Sequence, residues 1–436
     1  MQGNSHLPRV VIVGAGFGGL KVAQHLRRAP VAVTLVDARN HHIFQPLLYQ
    51  VATAALNAEE IAQSVRGLFH GYRNFDFRMV RATDVDWDGK CLRVDGGEPI
   101  PFDYLVLAAG AVTSDFGVEG VAQYAFGLKS VEEAIALRSH ILKQFECANN
   151  DPAQIEQGAL TVVVVGGGPT GVEMAGAIVE WFKRLMPRDF PRLDVSRAHV
   201  VLIEAMDRLL APFDASLQQN ALDTLRRFGV EVRLNETVTR VTADAVHLKS
   251  GEVIPARTVV WAAGMKASPL AQALGVALGR GGRIVVNPDM SIPGHPDAFV
   301  IGDLALGKNP DGTPHPQLAQ AALQGGKHVA RQIQRRIRGQ PTEPFIYRDP
   351  GTMATIGRSA AVAQFPNGWK FTGFFAWLMW LFLHLIYLIG LRNRLSVFLD
   401  WVWHYFTYDR SARLLVDLAM RRTCYDSKDD QSERDN

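Results

Sequence analysis

Two glycine clusters, about 150 residues apart, have the residue types and the spacing of a phosphate-binding loop. In the first cluster Gly14, Gly16 and Gly19 follow an apolar β-branched run, and Asp37 ends the next apolar run. Such glycines form a tight turn, admit a pyrophosphate and let a helix pack closely on a strand. The pyrophosphate meets free N–H groups at the helix N-terminus, and the acid accepts hydrogen bonds from a ribose hydroxyl.

The second cluster repeats this pattern. Gly166, Gly168 and Gly171 follow an apolar run, and Glu204 ends the next one. The longer spacing before Glu204 predicts an extended helix and an added loop over 184–197. A single glycine cluster is weak evidence, but two clusters that each lie between a strand and a helix, and that are each followed by an acid, predict two βαβ dinucleotide-binding units.

Three further strand ends accompany these units. Apolar runs end in Ala-Ala-Gly at Ala109-Gly110 and again at Gly264, and a later buried run leads into Gly302-Asp303. The predicted fold class is therefore α/β, with two Rossmann-like dinucleotide-binding domains and a C-terminal helical region for membrane attachment.

The composition excludes several other classes of protein. The chain has 436 residues, of which 47% are hydrophobic and 20% charged, with a formal net charge of +3. This charge is too small, and too evenly spread, to indicate a nucleic-acid partner. Its three cysteines, Cys91, Cys147 and Cys424, are far apart in sequence, so neighbouring thiols form neither a redox pair nor a metal cage. No metal-ligand constellation stands out.

Finer motifs carry a family resemblance. The stretches 41–53 (HHIFQPLLYQVAT), 316–324 (PQLAQAALQ) and 372–384 (TGFFAWLMWLFLH), with Arg392-Asn-Arg394, closely resemble the type II NADH:quinone oxidoreductases. These belong to the two-dinucleotide-binding-domain flavoproteins. The resemblance implies that the first unit and Asp303 bind FAD and that the second unit binds NADH. It also implies that a hydride passes to FAD and two electrons then reach a membrane quinone, without proton pumping.

The resemblance also implies roles for single residues. Glu173 is expected near the nicotinamide and flavin, although the helix dipole alone would favour an acid there. Glu180, seven residues later, is expected to be solvated. At the end of the second unit, Glu204 favours NADH because an acid repels the 2′-phosphate of NADPH, and Arg208 could weaken that preference.

Gln320 and Gln324 share a helix face because they are four residues apart. The resemblance implies that their amides face a quinone carbonyl; the alternative is a solvated helix face. Tyr49 is expected to border the same region. Lys370 resembles a family lysine near the flavin and quinone, and the alternative is an interfacial lysine whose ammonium reaches water.

The C-terminal segment is apolar. Residues 372–391 contain His384 as their one ionisable side chain, and a single helix of that length would be about 30 Å long, enough to cross a membrane. Residues 395–406 instead show the period of an amphipathic helix at a membrane surface, and nearby arginines suit anionic headgroups. These are Arg392, Arg394, Arg410 and Arg413. Because the family is monotopic, we favour peripheral attachment, on the cytoplasmic face of the bacterial inner membrane, with a homodimer possible.

These observations predict a domain order. Residues 1–118 and 281–345 form the FAD-binding domain, 119–280 the NADH-binding domain, 346–426 the membrane-anchoring region and 427–436 a disordered tail. Rival functions are a sulfide:quinone reductase, another pyridine-nucleotide-linked flavoprotein reductase, or a flavin-bearing membrane redox sensor. A disulfide reductase is nearly excluded, because 41–53 contain no cysteine.

Overall fold

The computed structural model describes residues 7–407 and 412–415. The chain divides into two compact units, which are described separately. The first unit contains the described residues up to Ile43, then Ala62–Val112 and Met265–Pro350. The second contains Phe44–Ile61, Thr113–Gly264 and the described residues from Gly351 onward. The predicted tail at 427–436 lies outside the described residues.

The described part of the first unit is built on a six-stranded sheet. Its strands, in spatial order, are Ser291–Ile292, His295–Val300, Tyr104–Leu107, Arg9–Val13, Ala32–Asp37 and Phe75–Met79. All neighbours are parallel except the first pair. Val13 pairs with both Val36 and Leu107, so the turns that follow these strands meet at the carboxyl edge of the sheet. This is the edge at which open α/β sheets bind nucleotides.

Two helices of the first unit pack unusually closely. Phe17–His25 contacts Ala319–Ile337 along its length, and a Cβ added at Gly326 would lie 2.5 Å from the carbonyl oxygen of Gly18. Only a hydrogen side chain allows this approach. The other elements of this unit are His41–Ile43, Ala62–Ser64, Val65–Leu68, Ala82–Asp86, Cys91–Val94, Ile100–Pro101, Met265–Ala267, Leu270–Ala273, Arg280–Gly282, Ile284–Val285, Gly302–Leu304 and Ala305–Leu306, while Ala111–Thr113 ends at the boundary.

The second unit contains a parallel sheet of the same kind. Its strands, in spatial order, are Ala125–Phe126, Thr258–Trp261, Thr161–Val165, His199–Ile203 and Glu231–Arg233. Val165 pairs with Ile203 and Trp261, which gathers the second glycine loop, Glu204 and the Ala-Ala-Gly turn at one edge. The predicted extension over 184–197 is a short helix, Met186–Asp189, and a turn, Val195–Arg197, after the main helix ends at Arg184.

Local sequence signals explain the long helices of this unit. Ser130 and Glu133 form a capping box at the start of Val131–Asn150. Asp214 caps Ala215–Phe228, which ends at the left-handed Gly229. The remaining elements before the C-terminal segment are Gln45–Leu47, Leu48–Ala52, Ala58–Ile61, Val121–Tyr124, Pro152–Ile155, Pro169–Arg184, Val238–Val241, Ala245–Leu248 and Val253–Pro255.

The C-terminal segment begins with an antiparallel sheet and ends with two helices. The strands are Thr352–Gly357, Ala360–Gln364 and Lys370–Thr372. We call Gly373–Tyr387 the apolar helix and Leu391–Thr407 the amphipathic helix. The interpretation of 372–391 as one membrane-spanning helix is wrong, because the helix ends after 15 residues, where Leu388 is extended and Gly390 has a φ of 90°. Within 7–407 and 412–415, no helix combines the length and the hydropathy needed to cross a bilayer.

Candidate functional site

The first glycine loop is shaped by close backbone approaches. Gly14 has a φ of 107°, and a Cβ there would lie 2.8 Å from the carbonyl carbon of Ala108. A Cβ on Gly19 would overlap the carbonyl oxygen of Gly14. At Gly16, by contrast, no described atom beyond its chain neighbours lies within 4 Å of an added Cβ. The loop is therefore tight on the protein side and open at Gly16, as a pyrophosphate site requires.

Asp37 braces this loop. Its two carboxylate oxygens accept hydrogen bonds from the backbone N–H groups of Ala15 (2.6 Å) and Arg39 (2.8 Å). Sequence reasoning assigned Asp37 to a ribose alone and missed its bond to the loop. An ionised carboxylate has about four acceptor directions, so these two bonds leave room for a ribose hydroxyl.

His42 is a further site residue that sequence reasoning missed. Its Nδ1 lies 2.9 Å from the carbonyl oxygen of Ala15, and its ring packs edge-on against Phe17. Burial lowers the pKa of His42 to about 4, so the ring is neutral. Its buried Nε2 has no hydrogen-bond partner among the described residues. A buried polar atom without a partner beside a phosphate-type loop indicates a ligand group at that position.

The late Gly-Asp lies in a tight turn of the same unit. Gly302 has a φ of 67° and begins the turn Gly302–Leu304. In this turn the backbone carbonyl oxygen of Asp303 accepts a 3.2 Å hydrogen bond from the side-chain amide of Gln317. The Ala-Ala-Gly turn also uses a left-handed glycine, Gly110, with a φ of 66°. Its Ala109 packs close to the first glycine of the loop: a Cβ on Gly14 would lie 3.2 Å from the Ala109 Cα.

The second glycine loop has the same construction. Gly166 has a φ of 113°, and a Cβ there would lie 2.9 Å from the backbone of Ala262. A Cβ on Gly171 would overlap the carbonyl oxygen of Gly166, whereas the space around Gly168 is open to 4 Å in the described structure. Gly264, with a φ of 67°, leaves no room for a side chain because the ring of Phe116 lies against it.

Glu204 braces the second loop as Asp37 braces the first. Its carboxylate accepts hydrogen bonds from the backbone N–H groups of Gly167 (2.5 Å) and Met206 (2.8 Å). Arg208, which could have weakened a preference against a 2′-phosphate, is ion-paired with Asp207 at 2.6 Å. The negative charge at the end of this strand is therefore fixed in place.

Glu173 is the titratable group at the start of the second-loop helix. One carboxylate oxygen accepts a 3.4 Å hydrogen bond from the backbone N–H of Thr355, and the side chain of Trp380 also hydrogen-bonds the carboxylate. Burial raises the pKa of Glu173 to about 8, although both hydrogen bonds act in the opposite direction. Glu173 is therefore mostly protonated at neutral pH and can donate a proton.

Gly176 makes the bond from Thr355 to Glu173 possible, and sequence reasoning missed it. It lies one helical turn after Glu173, where a Cβ would lie 2.6 Å from the carbonyl carbon of Ile356. The missing side chain lets the strand Thr352–Gly357 lie directly on the helix. A glycine inside an otherwise regular helix was the available signal, because it is costly there unless another segment approaches closely.

Three predicted residues have partners other than those expected. Glu180 is not a solvated acid, because its carboxylate accepts a 3.1 Å hydrogen bond from the backbone N–H of Arg358. The Gln324 side-chain amide makes two hydrogen bonds with the backbone of Arg348: it donates to the carbonyl oxygen (2.8 Å) and accepts from the N–H (3.1 Å). That this amide faces a quinone stays a prediction. Gln320, by comparison, is half-buried on the first turn of Ala319–Ile337.

Lys370 is the third such residue. Its ammonium forms a 2.6 Å ion pair with Asp214 at the protein surface, and this pair holds the pKa of the Asp214 carboxyl well below its usual range. The side chain of Lys370 is 39% exposed. The structure thus shows an acidic partner for this lysine that the sequence did not indicate, and its place near the flavin and quinone stays a prediction.

Comparison with known proteins agrees with this geometry. The profile of the pyridine nucleotide-disulphide oxidoreductase family matches residues 8–326, and that of the NDH2 C-terminal domain matches 350–408. The type II NADH:quinone oxidoreductase Ndh of Mycobacterium tuberculosis is 40% identical over 425 residues, covering 94% of this chain and 90% of that protein. The chain belongs to the type II NADH:quinone oxidoreductase family. The resemblance inferred from the sequence motifs is confirmed.

Other relatives and solved structures extend the comparison. The type II NADH:quinone oxidoreductase of Staphylococcus aureus is 31% identical and covers 82% of this chain and 89% of that protein. The structure of NDH2 from Plasmodium falciparum in complex with NADH superposes with a TM-score of 0.85 at 19% identity, over 94% of this chain and all of that chain. A sulfide:quinone oxidoreductase from Aquifex aeolicus gives 0.71 at 20% identity, over 92% of this chain and 96% of that chain. These structures show the fold, and the predicted α/β class is confirmed.

This type II oxidoreductase is thus a flavin-containing enzyme of pyridine nucleotides, and its residues fit both cofactors. The first unit offers an open glycine loop, the brace Asp37 and the unpartnered Nε2 of His42. The second unit offers an open loop braced by Glu204. Within each unit, the structure therefore brings together the predicted nucleotide-loop residues, and it shows additional protein partners for Lys370 and Gln324.

Proposed function

We propose that this protein transfers a hydride from NADH to FAD and two electrons from there to a membrane quinone, without pumping protons. One observation carries this proposal: each unit has its own open glycine loop braced by its own acid, in a chain 40% identical to a named NADH:quinone oxidoreductase. Two separate nucleotide loops suit two nucleotides that react with each other. When bound, the flavin supplies the chemistry of accepting a hydride and passing electrons on singly or in pairs.

FAD belongs to the first unit in this proposal. Gly14, Gly16 and Gly19 line its pyrophosphate, and Asp37 keeps free acceptor directions for the adenosine ribose. The neutral His42 offers Nε2 to the same ligand. Ala109, Gly110 and Asp303 follow strands of the same sheet edge, where the rest of the flavin nucleotide would lie.

NADH belongs to the second unit. Gly166, Gly168 and Gly171 bind its pyrophosphate, and Gly264 keeps the neighbouring turn free of side chains. The Glu204 carboxylate is held by two backbone N–H groups, so it cannot swing away from a 2′-phosphate. Because Arg208 is occupied by Asp207, we expect a clear preference for NADH over NADPH.

Glu173 and Gln320 serve the reduction of the quinone. A quinone that accepts two electrons also takes up two protons, and a buried acid with a pKa of about 8 holds a proton at neutral pH. Gln320 carries an amide that can donate to a quinone carbonyl. Gln324, one helical turn later, is proposed for the same role, and its amide also makes two hydrogen bonds with the backbone of Arg348.

The two C-terminal helices attach the protein to the membrane surface. Large apolar side chains on both of them are exposed to water, which is unfavourable unless another phase covers them. On the apolar helix these include Phe374, Phe375, Leu378, Phe382 and Ile386. On the amphipathic helix they include Leu391, Leu395, Phe398, Leu399, Val402, Trp403 and Phe406. This pattern supports peripheral binding to the cytoplasmic face of a bacterial inner membrane, where a lipid-soluble quinone is available.

The test is NADH oxidation by purified, FAD-loaded protein in detergent, with and without a short-chain quinone, repeated with NADPH. We expect fast turnover that needs both NADH and quinone and is much slower with NADPH. Flavin that neither nucleotide reduces would contradict the assignment of the second unit, and sulfide would then be tried as donor. Flavin reduced by NADH but not reoxidised by quinone would leave the nucleotide sites intact and refute the quinone step.

A further inference from the structure

A buried chain of hydrogen bonds connects the amphipathic helix to the strand that holds Glu173. Gln50 is the central residue of this chain. Its side-chain oxygen accepts from the indole N–H of Trp401 at 2.8 Å, and its side-chain nitrogen donates to the Tyr49 hydroxyl at 2.9 Å. That hydroxyl lies 3.2 Å from the Oγ1 of Thr355. Gln50 and Tyr49 are each 8% exposed, and Thr355 is 2% exposed.

Trp401 fixes the direction of both hydrogen bonds of the Gln50 amide. An indole N–H can only donate, so the atom of Gln50 that faces it must be the oxygen. The Gln50 nitrogen then faces Tyr49 and must donate, so the Tyr49 hydroxyl accepts this bond and keeps its own hydrogen available for the Thr355 Oγ1, 3.2 Å away. If Trp401 moved away, the amide could turn over and Tyr49 could donate to Gln50 instead. The position of the amphipathic helix therefore decides whether the hydrogen of the Tyr49 hydroxyl is available to Thr355.

The same residues surround the Glu173 carboxyl. Thr355 is hydrogen-bonded to Tyr49 through its side chain and donates to Glu173 through its backbone N–H. Trp380, on the apolar helix, hydrogen-bonds Glu173 and lies edge-on to the Tyr49 ring at 6.2 Å. Its ring is also 6.3 Å from that of Trp401. Both C-terminal helices thus contribute a tryptophan to the surroundings of one acid.

We propose that Gln50 is a positioning residue, which with Tyr49 holds Thr355 in register with Glu173 and makes this arrangement depend on Trp401. The proposal rests on the function proposed above, in which Glu173 supplies a proton to the quinone reaction. As a consequence, the position of the amphipathic helix sets the proton affinity of Glu173. A protein whose amphipathic helix is displaced would keep its nucleotide loops but lose the correct proton affinity at Glu173.

Stability alone does not call for this amide. Burying an amide costs free energy that its hydrogen bonds must offset. A methionine is of similar length and fills the same space, although it leaves the Trp401 N–H without its acceptor and so lowers the stability somewhat. Gln50→Met is therefore expected to fold. Gln50→Glu keeps the size and the bond from Trp401, but an ionised Glu cannot donate to Tyr49, so it reverses the direction of the bond to the hydroxyl.

The direct measurement is the titration of Glu173 by infrared spectroscopy of the protonated carboxyl band, with full-length, FAD-loaded protein in lipid vesicles. Glu173→Gln identifies the band. The other titratable groups close by are Tyr49, whose pKa is raised by burial and by Glu173, and Glu180. We expect Gln50→Met and Gln50→Glu to raise the pKa of Glu173, because a displaced Thr355 N–H no longer stabilises the carboxylate.

Turnover gives the second measurement. Both variants should lower quinone-linked turnover by about fivefold, the equivalent of one hydrogen bond, and leave NADH reduction of ferricyanide unchanged. The matched control makes the same substitutions at Gln219, an exposed glutamine on Ala215–Phe228. Neither the pKa of Glu173 nor turnover should change there.

Two outcomes would overturn the proposal. In the first, Gln50→Met leaves the carboxyl titration where it is in the unsubstituted protein. In the second, the variant loses stability and turnover with both acceptors equally, which indicates a packing role alone. The infrared titration does not depend on catalysis. A protein that failed to reduce quinone would therefore refute the proposed function, while the titration would still test the positioning role of Gln50.

Discussion

Gly176→Ala is the substitution that most directly tests how the Glu173 site is built. The added Cβ would lie 2.6 Å from the carbonyl carbon of Ile356, where ordinary contacts begin at 3.4 Å. The strand Thr352–Gly357 must therefore retreat by at least about 0.8 Å, since the carbonyl oxygen of Ile356 lies closer still and the helix is held on its other side by the parallel sheet. The bond from Thr355 to Glu173 is already 3.4 Å long, so this movement breaks it.

The expected magnitudes follow from that movement. Overpacking costs about 1–3 kcal/mol. Replacing glycine by alanine inside a helix returns about 0.5–1 kcal/mol. We therefore expect a net loss of about 1–2 kcal/mol in the free energy of unfolding. The Glu173 carboxylate also loses one of the two hydrogen bonds that lower its pKa. Its pKa should rise further above 8, because desolvation then acts with less opposition.

The assay is the pH dependence of quinone-linked NADH oxidation, with denaturant unfolding measured on the same preparations. Glu173 donates a proton only while protonated, so turnover falls as the pH rises through its pKa, and Gly176→Ala should shift this alkaline decline to higher pH. Gly67→Ala is the matched control, since it is also a helical glycine but has room for a Cβ, with the nearest atom at 3.7 Å. An unchanged alkaline decline in Gly176→Ala, together with a normal free energy of unfolding, would refute the reasoning.

Three other substitutions test separate parts of the structure. Glu204→Gln should raise the KM for NADH and improve the ratio of NADPH to NADH in kcat/KM by about tenfold or more, since a neutral amide no longer repels a 2′-phosphate; an unchanged ratio would contradict the assignment. Burial and the neighbouring Glu60 raise the pKa of Asp400 to about 7, so the folded protein keeps a proton that the unfolded chain loses. The free energy of unfolding of the unsubstituted protein should therefore fall as the pH rises from about 4 to 7, and Asp400→Asn should flatten this pH dependence. Lys370→Met should leave quinone turnover within about twofold and change the free energy of unfolding little, as expected for an exposed ion pair; a large loss of turnover would instead support the role predicted from the sequence.

The nucleotide loops could be predicted from the sequence because their physics is local. A glycine that must adopt a positive φ, as Gly14 and Gly166 do, is marked by its own residue type. The acid that follows is marked by its position at the end of the next strand. The bonds from Asp37 and Glu204 back to the loops were not predicted, since they depend on the parallel register that places two strand ends side by side.

The partners of the other site residues could not be read from the sequence because they are distant along the chain. Thr355 is 182 residues from Glu173, and Trp401 is 351 residues from Gln50. Helical periodicity identifies which side chains share a face but not which segment covers that face. The family resemblance placed Lys370 near the cofactor without reference to the nearby Asp214, which the structure shows to be its partner.

The C-terminal segment shows why hydropathy alone describes only part of the region that we propose to be attached to the membrane. Its apolar residues favour contact with lipid, and large apolar side chains of both helices are exposed. Yet Trp380, on the apolar helix, is only 1% exposed and hydrogen-bonds Glu173, and Trp401 donates to the buried Gln50. A hydropathy scale counts these two tryptophans with the lipid-facing residues, although their N–H groups determine the surroundings of an acid. Because one face of each helix meets the proposed membrane while the other completes the site, attachment and proton affinity are properties of the same two elements.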